Sequence, residues 1–135
     1  MRTRADQRAR RLGMTRAQWV ILAWLELEPG LSQNELAALV EVEPITVARL
    51  IDRLEAGGFV ERRADPKDRR IRRLHLLPAV APVLKEIRAY RAELSASITS
   101  AVGEERLKQL TSSLVDLKAA LIEEAQAAPG GRAAS

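Results

Sequence analysis

The side chains of this chain that could do chemistry are almost all arginines. Of 22 basic residues 18 are Arg, the side chain that forks onto phosphate oxygens and onto the O6 and N7 edge of guanine, although a GC-rich genome also enriches Arg without any functional reason. Their placement is uneven. Residues 1–16 hold six Arg against Asp6, residues 49–73 hold eight Arg and Lys67 against five acids, and the remainder carries seven bases and twelve acids. A net charge of +4 names no partner by itself, so the two concentrated segments carry the signal. The parts of an enzyme are missing. With no Cys and His75 as the only histidine, the sequence offers no metal cluster, no Cys-His or Ser-His-Asp group and no glycine loop to cradle phosphate. Glu104-Glu105 and Glu123-Glu124 read as solvated ends of one helix rather than acid-base pairs, and His75 as an outward-facing strand residue. The expectation is a non-enzyme without a cofactor.

The elements that must hold these arginines can be read from spacing. Apolar residues make up 47% but aromatics only 3%, so the core is aliphatic and helical, and 135 residues suit one domain. No apolar run is long enough to span a bilayer and no signal peptide precedes the charged start, so a soluble cytoplasmic protein is expected. Residues 2–12 form a short basic segment with a thin apolar face. Thr15 with Gln18 opens a helix that Pro29-Gly30 stops. It is apolar nearly all round, through Trp19, Leu22 and Ala23 on one side and Val20, Trp24 and Leu27 on another, and must be covered on two faces. Ser32 with Glu35 opens a shorter helix ending near Glu41. Pro44 then sits in the first turn of a third, with Val47, Leu50, Ile51 and Leu54 at helical spacing and Gly57-Gly58 at its end. Two short helices joined by a tight turn, the second amphipathic, make the helix-turn-helix pattern. Residues 59–63 and 71–76 read as two strands around the basic turn 64–70.

The second of those short helices turns outward Thr46, Arg49 and Arg53, with Pro44 and Ile45 at its N-terminus. Arg49 suits guanine, and the methyl groups of Thr46 and Ile45 suit thymine, in a major groove. For Arg53 two roles stand open, contact with DNA or a surface salt bridge to Asp52 or Glu55. Such a face alone is no more than an ordinary amphipathic helix. What gives it meaning is the hairpin that follows at once, with Arg69, Arg70, Arg72 and Arg73 at or beside its tip, placed to enter a minor groove or face phosphates.

Beyond the hairpin, Val83, Ile87, Tyr90, Leu94 and Ile98 repeat at helical spacing, as do Leu107, Leu110, Leu114, Leu117 and Leu121. A winged helix of about sixty residues cannot cover two such stripes, so a second copy of the chain is the economical cover. The expected dimer contacts are Leu94, Ile98, Leu107, Leu110, Leu114, Leu117 and Leu121.

Residues 13–76 resemble the MarR/SlyA family of winged-helix regulators, through Met14-Thr15-Arg16-Ala17-Gln18-Trp19, Leu31-Ser32-Gln33-Asn34-Glu35-Leu36-Ala37, Thr46 to Glu55, Gly58-Phe59-Val60-Glu61-Arg62 and Asp65-Pro66-Lys67-Asp68-Arg69-Arg70. The similarity extends more loosely through Glu104-Glu105-Arg106-Leu107 to the last leucines. It implies Arg70 as the minor-groove residue with Asp68 orienting it, and Ser32 and Gln33 near the DNA backbone. It also implies a small anionic or aromatic effector, for which Trp19, Trp24 and Tyr90 with Arg88 or Arg91 form the candidate crevice. The competing reading is that both Trp residues simply fill the core. Two departures stand out. The family's Thr cap before the long helix is replaced by Leu77-Pro78, and only about a dozen residues precede Met14 where the family has a longer dimer helix.

The fold class expected is therefore mostly α (α+β), a winged helix-turn-helix with long C-terminal dimerisation helices. Residues 1–13 would be a remnant of the dimer region, 14–77 the DNA-binding region, 78–127 the dimer helices and 128–135 a disordered tail. The partners expected are double-stranded DNA and a second copy, with no membrane. A helical protein-docking module and a nonspecific nucleoid binder remain the alternatives.

Overall fold

The computed structural model describes residues 3–127, and the tail expected at 128–135 lies outside the described residues. The chain divides into two units, one ending at Arg91 and one beginning at Ala92. The first opens with α1 (Arg4–Arg11), whose start is closed by a reciprocal pair: the Asp6 amide donates to the Thr3 hydroxyl and the Thr3 amide to the Asp6 carboxylate. The same capping box, with Gln or Glu as third residue, starts α2 (Arg16–Leu27) from Thr15 and α3 (Gln33–Val40) from Ser32, as their spacing predicts. Pro44 begins α4 (Pro44–Ala56) without a side-chain cap. Its end is a Schellman turn in which Gly58, at φ 77°, lets the amides of Gly58 and Phe59 reach back to the carbonyls of Glu55 and Leu54.

Strands β1 (Val60–Ala64) and β2 (Arg72–Leu76) pair antiparallel, with Val60 opposite Leu76 and Ala64 opposite Arg72. The segment before α3 adds a short third edge. The Leu74 amide donates to Leu31 O at 2.9 Å, the Gly30 amide donates to Leu74 O at 3.2 Å, and Ser32 bridges Arg73. The base of the wing is thus tied to the start of α3. Gly30 is needed there, because at φ +84° any side chain would be strained. His75, on the strand face opposite buried Leu74, is half-buried.

Each element sends one apolar stripe into a common core. Ile21, Leu22 and Leu25 of α2, Leu36 of α3, Val47, Ile51 and Leu54 of α4, and Val60 and Leu74 of the strands are all fully buried, which is the aliphatic core the composition predicts. The expectation that α2 is covered on two faces needs correction: Val20 and Trp24 are half-buried and Leu27 is exposed. One broad face suffices for a three-helix head. A 3-10 turn at Pro78–Val80 leads into α5 (Ala81–Val102), and Pro78 takes the first position with no side-chain cap.

The turn between α3 and α4 contains the only non-glycine residue with positive φ among those described, Glu41 at 54°. A β-carbon in the left-handed region is costly, and nothing in a glutamate side chain offsets it. Glu41→Gly is expected to raise stability by about 1 kcal/mol, read as a higher midpoint in urea with an unchanged slope. An unchanged or lower midpoint would contradict the assignment of strain to this residue.

The second unit comprises the rest of α5 and α6 (Glu104–Ala127), with Gly103 at φ +89° between them. No residue of α6 is buried. The stripe along α5 that the spacing suggests for a partner is divided: Val83 and Ile87 lie in the core of the first unit, whereas Leu94 and Ile98 are exposed. Periodicity shows that a stripe is covered, not what covers it. Among the described residues no helix is long and apolar enough to cross a membrane.

Candidate nucleic-acid interface

The outer face of α4 follows from its inner one. Val47, Ile51 and Leu54 fix the helix by burial, and the helical repeat then turns Pro44, Ile45, Thr46, Arg49 and Arg53 to solvent, where all five are exposed. Ile45 is 65% exposed, a large apolar side chain in the first turn of the helix. Asp52 and Glu55 do not hold Arg53. Both are engaged by Arg62 of β1, whose Nη2 lies 2.7 Å from Asp52 Oδ1 and whose Nη1 lies 3.0 Å from Glu55 Oε1. Arg62 also donates from Nη2 to the Ala48 carbonyl at 3.1 Å and from Nε to Gln33 Oε1. One arginine therefore joins α3, α4 and the first strand of the wing. Residue spacing carries no sign of this role, since a basic residue in a strand reads the same whether it faces solvent or a ring of acceptors.

At the start of α3, Ser32 is buried and its hydroxyl accepts the Glu35 amide at 3.1 Å. Its structural duty is the cap. The Gln33 carbonyl oxygen is taken by Arg62, so the donor left to Gln33 is its amide NH2, beside exposed Asn34. A groove of about 250 Å³ runs between Ser32, Gln33 and Asn34 on one side and Arg70, Ile71 and Arg72 on the other. Asn34 was not among the residues anticipated.

The wing turn is organised by Asp65, which is also newly apparent. Its Oδ1 accepts the amides of Lys67 at 2.7 Å and Asp68 at 3.3 Å, while Oδ2 accepts Arg73 Nε at 2.6 Å. Arg73 continues to the Gly30 carbonyl at 3.0 Å. Arg73 is thus a strut beneath the wing rather than one of its exposed cations. Asp68 in turn accepts both the backbone amide and Nε of Arg70, at 3.1 and 3.3 Å, and still leaves the Arg70 side chain 92% exposed. Arg69 and Arg72 are exposed beside it. Two turn carboxylates therefore aim a cation outward.

The Arg73 hydrogen bond, followed by the Lys67 amide, holds the Asp65 carboxyl below its ordinary range, and the same contact raises Arg73. A depressed carboxyl contributes stability that is complete above the unfolded value, near pH 4, and is lost as pH falls through the lower folded value. Asp65→Asn is accordingly expected to lower the thermal midpoint at neutral pH, with the gap to the parent protein closing below about pH 4. A gap that stays constant into acid would show that the carboxylate charge contributes nothing.

The crevice residues all make contacts within the chain. Trp19 is 4% exposed and meets Tyr90 edge-on at 6.3 Å, with the Arg8 guanidinium 5.3 Å from the same Tyr90 ring. Trp24 is half-buried. Arg88 and Arg91 both bridge Glu26, at 2.8 and 3.2 Å, so their carboxylate partner comes from within the chain.

The sequence model of the MarR family matches residues 12–71. The chain is similar to the Thermotoga maritima transcriptional regulator Tm0710, with 30% identity over 92% of this chain and 87% of that one, at a TM-score of 0.60. It is similar to the transcriptional regulator SlyA at 27% identity and TM-score 0.73, over 89% and 84% of the two chains. A mutant of S. aureus MepR solved bound to an oligodeoxyribonucleotide is 25% identical over 87% and 86%, with a TM-score of 0.61.

Proposed function

Because the chain belongs to the MarR family, whose members are DNA-binding transcription regulators and not enzymes, we propose that it acts as a homodimer on an imperfect palindrome, as a repressor. In this reading residues 14–77 are the DNA-binding region and residues 78–127 carry the dimer helices. The observation that carries it is the pairing, on one folded unit, of the exposed Ile45, Thr46, Arg49 and Arg53 face with a wing whose Arg70 is held outward by Asp68.

The mechanism follows from the chemistry of each group. The N-terminal half of α4 enters the major groove, where Arg49 takes guanine O6 and N7 and the methyl groups of Ile45 and Thr46 meet thymine. Arg53, with neither Asp52 nor Glu55 to hold it, reaches a phosphate. Arg70 inserts into the adjacent minor groove, favoured where A·T pairs narrow it and concentrate negative potential. Gln33, Arg69 and Arg72 face phosphates and fix the register without reading sequence; Ser32 supports them from its cap. The apolar stripe of Leu94, Ile98, Leu107, Leu110, Leu114, Leu117 and Leu121 pairs with that of a second copy. Two reading heads bound across a promoter exclude polymerase, which is the repressor role.

Selection of bound fragments from random duplex DNA tests the whole reading. The expected product is a palindrome with half-site centres about one helical turn apart, bound with an affinity that falls steeply as salt rises. A protein that ignores duplex DNA even in dilute buffer is a docking module instead. One that shows the salt slope without a recovered site is a nonspecific nucleoid binder.

A further inference from the structure

Helix α1 carries charge that the DNA contacts above leave unused. Between Thr3 and Arg16 five arginines stand against one acid, Asp6. The helix is fixed to the reading head. Ala9 is fully buried in its core, and the Arg8 guanidinium lies 5.3 Å from the Tyr90 ring with Nη1 3.5 Å from Glu86, so the flank toward α5 is taken. The helical repeat then turns Arg4 and Arg11 away from Ala9 onto one exposed stripe. Neither has a side-chain hydrogen bond or ion pair among the described residues. Arg10, also exposed, shares a hollow of about 400 Å³ with Asp6 and Arg16. Arg16 is 65% exposed, with its Nε 3.8 Å from Asp6. It also borders Val42 and Leu50, on the flank of α4 opposite the one that Arg62 holds. A cationic strip thus runs from the edge of the recognition helix to the outer face of α1.

We propose that α1 and Arg16 form a second DNA contact, a sequence-blind grip on the phosphates that border the major groove on the side away from the wing. The chemistry of the strip selects this partner. Guanidinium groups fork onto phosphate oxygens, and an eight-residue helix, about 12 Å long, lies along about three phosphates of one strand. A protein surface fits less well. The centre of a protein interface is poor in charge and rich in apolar and aromatic side chains, whereas Leu12, 36% exposed, is the one large apolar side chain exposed along the strip. Position agrees with chemistry. A duplex seated on the outer face of α4 carries its backbone past Arg16 before it reaches α1, so the recognition helix is bracketed by cations on both flanks. Such contacts raise affinity and set the register of α4 without reading bases. The role differs from the remnant of a dimer region that the sequence suggests for residues 1–13. It rests on the DNA-regulator reading and extends it to an element outside residues 14–77.

The test compares the full parent chain with two double variants, Arg10→Gln with Arg11→Gln and Arg10→Lys with Arg11→Lys, on the selected operator and on random duplex across a salt series. The Gln variant is expected to lose about tenfold or more in affinity in dilute buffer. Its plot of log affinity against log salt should be shallower by nearly two for each subunit bound. Both changes should be equal on the two DNAs, and the site recovered by selection should stay the same. The Lys variant should keep the parent slope, since charge rather than the fork supplies it. Ethylation of phosphates beside the α4 groove, on the side away from the wing, should block the parent and not the Gln variant. An unchanged slope, a loss confined to the operator, or a Lys variant as weak as the Gln one would overturn the proposal. So would a Gln variant of lower sedimentation mass than the parent, which would return α1 to the dimer contact. In each of these cases binding by the parent leaves the DNA-regulator reading standing. A parent chain that binds no duplex in dilute buffer would overturn both.

Discussion

Leu114→Glu with Leu117→Glu is expected to yield a lone subunit that has lost operator binding by about a hundredfold or more. The two leucines are 64% and 56% exposed in a helix with no buried residue, and Leu110 and Leu121 extend the same stripe at 50% and 57%. A helix of 24 residues, about 36 Å long, does not keep such a stripe in water when a second copy can cover it. None of these residues belongs to the core of the first unit, so the substitutions leave the reading head folded. That separation makes the outcome interpretable. A dimer binds its second half-site intramolecularly, and losing that step removes roughly two to four orders of magnitude without touching a single DNA contact. Sedimentation should give one chain mass at micromolar concentration, and the variant should bind a full palindrome no better than a half-site. A doubly substituted protein that stays dimeric, or that keeps its preference for the full site, would sink the proposed assembly.

The second large effect is expected from Arg49→Ala, which should cost roughly 1–3 kcal/mol at each half-site, and close to twice that on a palindrome because well-separated contacts add. Arg49 is exposed and takes part in no ion pair or hydrogen bond of the side chain among the described residues, so its removal perturbs little else. On random duplex the loss should be small, since there it serves only as one more cation. Arg70→Ala gives the contrast. Its loss should be greatest where the flank beside the wing is A·T-rich and should shrink on G·C-rich flanks. Equal losses on cognate and random DNA would remove Arg49 from base readout, and equal losses on both flanks would remove Arg70 from the minor groove.

Much of this head was legible in the residues, and the reasons are local. Capping boxes at Thr15 and Ser32, Pro44 in a first turn and Gly57-Gly58 after a last one are short-range signals with their own hydrogen-bonding logic, and each stands within a residue or so of the element it predicts. The strands begin and end one residue from the expected limits at most. What sequence did not disclose depends on partners far along the chain. Arg62 finds Gln33, and Arg73 finds the Gly30 carbonyl, 29 and 43 residues away; Arg91 finds Glu26 65 residues away. From sequence Arg62 reads only as a strand residue, Arg73 as one of the cations beside the hairpin tip, and Arg91 as a crevice residue. Val83 and Ile87 share a repeat with Leu94 and Ile98, yet the first two are consumed by the core of their own unit. Glu41 occupies a left-handed turn without the glycine that would have announced it.

Arg62 also bears on how a binding site would be chosen. By joining Gln33, Ala48, Asp52 and Glu55, it presets the span between the helix proposed to read one groove and the hairpin that follows it. The ordering entropy of that arrangement is met when the chain folds, not when it meets its target. Adjustment must then come from the double helix. Sequences whose twist and groove width already match this fixed caliper should be preferred even at base pairs no side chain reaches.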